Sequence, residues 1–278
     1  MIGAEAPGVR IAGSEEHLLL SEKNGREYRI LIARPADPPP PGGYPIIFAL
    51  DGDATFFTLA EAVRLQTRKP HGYDPAIVVG IGYPSGEPFD MTRRCFDFTI
   101  PAEEGTLPVR PDGCPWPESG GADRFLDFLE FELFPFVGTR FEVDSARQTI
   151  FGHSLGGLFV LHALFARTGL FANYAAGSPS IWWGNYAILK GLERFADEFG
   201  SFAAQARLLL TIGAEELADM VADSETLIER LRPLSTFRAS FVKFAEEEHT
   251  SVLPAALSRV VKFALAVEPT GGSDTLQD

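Results

Sequence analysis

Between the β-branched and aromatic run Gln148-Thr149-Ile150-Phe151 and the apolar stretch Leu158-Phe159-Val160-Leu161 stand five residues, Gly152-His153-Ser154-Leu155-Gly156. A Gly-x-Ser-x-Gly pentapeptide at a strand-to-helix junction requires a sharp, strained turn with the serine at its apex. Glycines two positions either way carry no side chain that would clash in such a turn. The helix that follows brings its unpaired N–H groups beneath the serine oxygen. The motif bears on fold and chemistry together.

The rest of the chain has the rhythm this turn needs. Short apolar runs read as strands at Glu16–Ser21, Tyr28–Arg34, Ile46–Leu50, Ala76–Gly82, Gln148–Phe151, Asn173–Gly177, Arg207–Gly213 and Arg238–Phe244. Helical patterns fall between them at Phe56–Lys69, Asp123–Val137 (capped by Asp123), Leu155–Thr168, Asn185–Phe199, Leu217–Leu231 and Pro254–Ala266. Such alternation predicts an α/β fold with a mostly parallel, eight-stranded sheet flanked by helices. The Pro-rich run 35–43 follows only two short strands, too little chain for a domain, so a single domain over 1–267 is expected. The tail 268–278 is polar and Gly-rich and is expected to be disordered. Residues 83–121 hold seven prolines and no clear period. A stretch this long after a strand's carboxyl end is expected to form a pocket wall.

Composition narrows the partners. The 278 residues carry a net charge of −14, which argues against nucleic acid and against an anionic membrane surface. No apolar stretch approaches the roughly 18 residues of a membrane helix. The first residues lack a basic segment followed by an apolar core, so no signal peptide is read and a cytoplasmic location is expected. A leader already trimmed away would make the location periplasmic. The two cysteines, Cys95 and Cys114, are expected as free thiols. The histidines (His17, His71, His153, His162 and His249) are scattered along the sequence, and no metal site or other cofactor is expected.

A serine hydroxyl needs a base, and the base needs a group to orient it. In the α/β-hydrolase fold, to which a strand–elbow–helix unit belongs, the chain order is serine, acid, histidine. Downstream of Ser154 stand two histidines. His162 lies two turns into the elbow helix, out of reach. His249 lies in the loop before the last helix and is the expected base. The acid is expected after strand Arg207–Gly213, where Glu215 and Glu216 are adjacent; the Gly-x-x-Glu offset favours Glu216. Two backbone donors should stabilise the oxyanion: the N–H of Leu155, and one from Asp51-Gly52-Asp53, with Asp53 preferred over Gly52. A catalytically silent binding protein on this fold would be expected to have lost one of these groups.

Leu-Asp-Gly-Asp at 50–53, Gly-His-Ser-Leu-Gly-Gly at 152–157, Ser-Pro-Ser-Ile-Trp-Trp at 178–183 and Glu-Glu-His-Thr-Ser-Val at 247–252 carry a resemblance. So do residues 93–99 and 120–126. From about residue 12 to 266 the chain resembles the esterase family of α/β-hydrolases, and within it the bacterial siderophore esterases. The resemblance implies hydrolysis of ester bonds in a cyclic or linear trilactone, the small-molecule substrate being a siderophore in its ferric form, with no metal in the chemistry. It implies that Trp182 or Trp183 lines the pocket, and that Arg93 or Arg94 faces an anionic or catecholate group. Some relatives work with a Ser–His dyad, and the family also holds carbohydrate esterases and acyltransferases. A general small-ester or acyl-sugar esterase is therefore the alternative.

Overall fold

Tyr44–Leu50 and Ile77–Gly82 are buried at every residue, as strands must be when helices cover both faces of a sheet. The computed structural model describes residues 11–110, 112–199, 206–234 and 237–266. Its strands are β1 (Ser14–Leu20), β2 (Glu27–Ala33), β3 (Tyr44–Leu50), β4 (Ile77–Gly82), β5 (Val143–His153), β6 (Asn173–Gly177), β7 (Arg207–Gly213) and β8 (Arg238–Phe244). They form one eight-stranded sheet in the order β1-β2-β4-β3-β5-β6-β7-β8. β1 pairs antiparallel with β2 and β2 antiparallel with β4, while every later pairing is parallel. The expected α/β-hydrolase architecture is the one observed.

Alternate residues of each strand feed two cores. On one face, Ile47, Ala49 and Val78 meet α1 (Gly52–Gln66) through Phe56 and Leu59, and α9 (Val252–Leu265) through Val260 and Val261. On the other, Ile46, Phe48 and Ile150 meet Leu158 and Phe159 of α5 (Leu155–Ala166). Each valine, leucine, isoleucine and phenylalanine among them contributes about 1.5–3 kcal/mol when fully buried. The helix behind Ser154 is thus held by the core rather than by its own propensity.

Three helical expectations need correction. Residues 83–121 are not wholly irregular: α2 (Met91–Phe98) forms there, with the Asp90 side chain accepting the Arg93 amide at its N-terminus. Two turns rich in arginine leave too short an apolar stripe for periodicity to reveal. The helix expected over 123–137 is α3 (Ala122–Phe128), a π-helical turn at Leu129–Leu133, and α4 (Phe134–Gly138). Pro135 has no N–H for the α ladder, and the wider turn precedes it. Gly121, not Asp123, caps α3. Finally, the helix expected over 185–199 is α7 (Ile188–Phe199), and the short turn before it, α6 (Trp183–Tyr186), is interrupted from within by left-handed Gly184 and Asn185. The last major helix on the second face is α8 (Ala218–Leu231). The expected tail, like residues 1–10, lies outside the described residues.

Candidate active site

Strand β5 ends at His153, α5 starts at Leu155, and Ser154 between them adopts φ 61 and ψ −117. A β-carbon on Gly152 would overlap the Gly156 carbonyl oxygen, so that glycine is obligatory. The same does not hold for Gly156, whose added β-carbon would find nothing closer than 3.6 Å. The second tight position is instead Gly157, where an added β-carbon would come within 2.6 Å of the Gly177 carbonyl oxygen. Backbone bonds from Ser154 N to Gly177 O (2.9 Å) and from Ser180 N to Ser154 O (3.1 Å) pin the turn to the segment after β6. The Ser180 hydroxyl lies 3.5 Å from that of Ser154.

Because β5, β6, β7 and β8 run parallel side by side, their carboxyl ends share one edge. Glu216, just beyond β7, holds His249 Nδ1 at 2.7 Å through Oε2. Its Oε1 accepts the Ser178 hydroxyl at 2.5 Å and the Gly213 amide at 2.8 Å. Burial would push this carboxyl up, but the bonds from His249, Ser178 and Gly213 outweigh it and hold it below the usual glutamate range. Glu215 is exposed, and its amide donates to the Glu247 carbonyl. Of the two adjacent carboxylates, the geometry brings Glu216 to the histidine. His162 is occupied elsewhere, with Nε2 2.8 Å from Asp123 Oδ1. His153 and His249, apart in sequence, pack ring on ring with centroids 4.7 Å apart.

Strands β3 and β5 pair in register through Ala49 and Phe151, so the turn at Asp51-Gly52-Asp53 lies beside the serine turn. Leu155 and Asp53 each sit in the first turn of a helix, where N–H groups have no intrahelical acceptor. Gly52 is needed for a different reason: a β-carbon there would come within 2.8 Å of the Gly80 carbonyl carbon. The Asp53 carboxylate pairs with Arg29 and accepts the Tyr83 amide, steadying that turn from outside.

The resemblance-based expectation for Arg94 is corrected here. Helix α2 turns Arg94 inward, where it is 4 % exposed. Its fork donates to Asp51 Oδ1 (3.0 Å), Asp51 Oδ2 (2.9 Å) and the His153 carbonyl (3.2 Å). Arg94 therefore ties the β3–α1 turn to the serine turn instead of facing a ligand. Arg93, one residue and about 100° around the helix, donates to the Glu27 carbonyl and lies over the Tyr83 ring. Trp183 is also withdrawn from the pocket: it is fully buried and bonded to the Ile100 carbonyl. Trp182 is half-buried, and with Trp116 (centroids 6.0 Å apart) it forms an aromatic corner two residues beyond Ser180. Sequence reasoning missed Asp51, Arg94's structural use, and Ser178. The only signals for them were a buried-type arginine in a polar run and the Ser-Pro-Ser block.

The clamp makes a stability prediction. Burial pushes the Asp51 carboxyl up, and only Arg94's charge and hydrogen bonds oppose it. Arg94→Met leaves an uncompensated buried carboxylate, which costs about 3–5 kcal/mol. At about 2–4 °C per kcal/mol for a chain of this size, Tm measured by calorimetry should fall by about 10 °C. A carboxyl raised in the folded state stabilises at low pH and loses that contribution as pH rises. The deficit should therefore be largest near neutrality and smaller at pH 4, and adding Asp51→Asn should recover much of it.

A hydroxyl on a strained turn, an imidazole oriented by a buried carboxylate and two adjacent helix N-termini make up a serine hydrolase of the α/β-hydrolase class. Residues 21–209 match the model of the Esterase family, described as "Putative esterase". The ferri-bacillibactin esterase BesA of Bacillus subtilis is 44% identical over 95% of this chain and 93% of its own. The siderophore enterobactin esterase of Emericella nidulans is 34% identical, over 78% of this chain and 80% of its own. The crystal structure of the BES protein from Bacillus cereus superposes with a TM-score of 0.89 at 40% identity, covering 95% of this chain and all of that one. The chain belongs to the Esterase family.

Proposed function

We propose that this esterase opens the ester bonds of a siderophore trilactone, its ferric complex included, through an acyl-enzyme on Ser154. The reading rests on one observation above all: Glu216 holds the Nδ1 face of His249 at the sheet edge that carries Ser154. That contact leaves Nε2 as the nitrogen free to take a proton. His249 removes the Ser154 proton as Oγ attacks the ester carbonyl, and the N–H groups of Leu155 and Asp53 receive the oxyanion. Collapse breaks the carbonyl–alkoxy bond, and His249 returns the proton to the departing alcohol oxygen. Water, deprotonated by the same nitrogen, then releases the acid and restores Ser154.

The substrate class is supported by the named activities of the relatives and by the corner of Trp116 and Trp182, whose faces suit flat catechol rings. The described arginines of residues 83–121 are already engaged: Arg94 by Asp51, Arg110 by Asp112, and Arg93 by a backbone carbonyl. Aromatic contact, more than free positive charge, is thus the recognition proposed. Incubation with ferric and iron-free catecholate trilactones, followed by mass spectrometry, should show the gain of one water per ester opened. If neither trilactone opens while simple acetyl esters do, the substrate assignment is wrong and the alternative, a general small-ester esterase, stands.

A further inference from the structure

The residue before the nucleophile has no part in the reaction described so far. His153 is 4 % exposed, and neither ring nitrogen has a hydrogen-bond partner among the described residues. A buried imidazole without partners is costly to keep, so its retention beside the nucleophile asks for a reason. Its ring packs on that of His249 at 4.7 Å and 40°. Its backbone is not free to yield: the carbonyl accepts Arg94, and the residue pairs in register with Gly177.

We infer that His153 is a positioning residue, an aromatic plate packed against the His249 ring that restricts the orientation of that ring. The inference rests on reading His249 as the base. A single bond to Glu216 at Nδ1 leaves the imidazole able to rock about that contact, and its side chain is 38% exposed. A flat, rigidly anchored neighbour restricts the rocking, so Nε2 keeps one direction through both proton transfers. Burial, and then the charge His249 would carry, push His153 down to about 3, so the plate stays neutral when His249 takes its proton. Glu216 pulls the other way and Arg94 adds to the depression. The His249 backbone is close enough to act on the ring but does not reach hydrogen-bond geometry.

The test compares His153→Val, which removes the plate, with His153→Phe, which keeps it without the nitrogens. Misaiming a catalytic group by about 1 Å costs about 10²-fold. His153→Val should therefore lower kcat by about 10- to 100-fold with KM within twofold. The rate of Ser154 labelling by a phosphonofluoridate should fall in parallel. His153→Phe should restore both to within about threefold of the parent. Equal losses in the two variants, or none in His153→Val, would overturn the inference. Should either variant fail to fold, histidine ¹⁵N spectra of the unaltered protein decide. They should show His153 neutral from pH 5 to 8, and a His153 that gains a proton in that range refutes the plate. Persistent activity in Ser154→Ala would instead count against the underlying mechanism.

Discussion

Ser154→Ala should leave the protein folded and lower kcat/KM on any ester it hydrolyses by about 10⁴- to 10⁶-fold. The size of the effect follows from what remains. Alanine keeps the turn, the Leu155 and Asp53 amides and the aromatic corner, so substrate binds and its carbonyl is still polarised. No atom is left to form the acyl-enzyme, and the residual rate is that of water attacking a bound ester. Stability should change little, since the lost hydroxyl's hydrogen-bond contact among the described residues is with Ser180 at 3.5 Å, a weak one. Ser154→Gly should be as inactive yet more stable, because φ 61 and ψ −117 suit glycine and strain serine. Circular-dichroism melts and burst-phase kinetics with a nitrophenyl ester check both variants. Undiminished turnover in Ser154→Ala would remove Ser154 from the chemistry.

Much of this was legible in the chain because the informative features were local. All eight strands announced themselves by short apolar runs, three of them (β6, β7 and β8) at the very residues observed. The elbow and the order of Ser154, Glu216 and His249 needed only spacing and the knowledge that parallel strands end on one edge. What failed was whatever depended on facing. The sequence of α2 does not say that Arg94 turns inward and Arg93 outward, and two adjacent tryptophans do not disclose which is core. Nor could spacing show that residues 96 apart, His153 and His249, would meet ring against ring, since that contact depends on the loop after β8 reaching back along the shared carboxyl edge past β7 and β6 to the end of β5. The same limit explains Gly156: five letters match a pattern, but the steric demand falls on Gly152 and Gly157.

Glu216→Gln should cost nearly as much as loss of the nucleophile, about 10⁴-fold in kcat, while Glu215→Gln should change nothing. The carboxylate of Glu216 accepts on both oxygens: Oε1 from Ser178 and the Gly213 amide, Oε2 from His249. An amide replaces one acceptor with a donor, and neither orientation is free of conflict. With its NH₂ toward Gly213, two donors oppose each other in a buried site. With its NH₂ toward His249, Nδ1 must become the acceptor and the ring proton moves to Nε2, the nitrogen that has to take the Ser154 proton. The second arrangement is the cheaper one, since the imidazole exchanges tautomers readily, and it is the inactive one. Stability gives an independent reading. The carboxyl of Glu216 is held below its ordinary range, so its contribution is present above the unfolded-state value of about 4.3 and fades as pH falls through the folded-state value. Parent and Glu216→Gln should therefore differ in Tm at pH 7 and draw together as the pH falls through that folded-state value. Glu215, exposed and with a free carboxylate edge in solvent, should track the parent at both. If Glu216→Gln instead keeps its kcat, the imidazole is being oriented by something other than this carboxylate, and a Ser154–His249 dyad suffices.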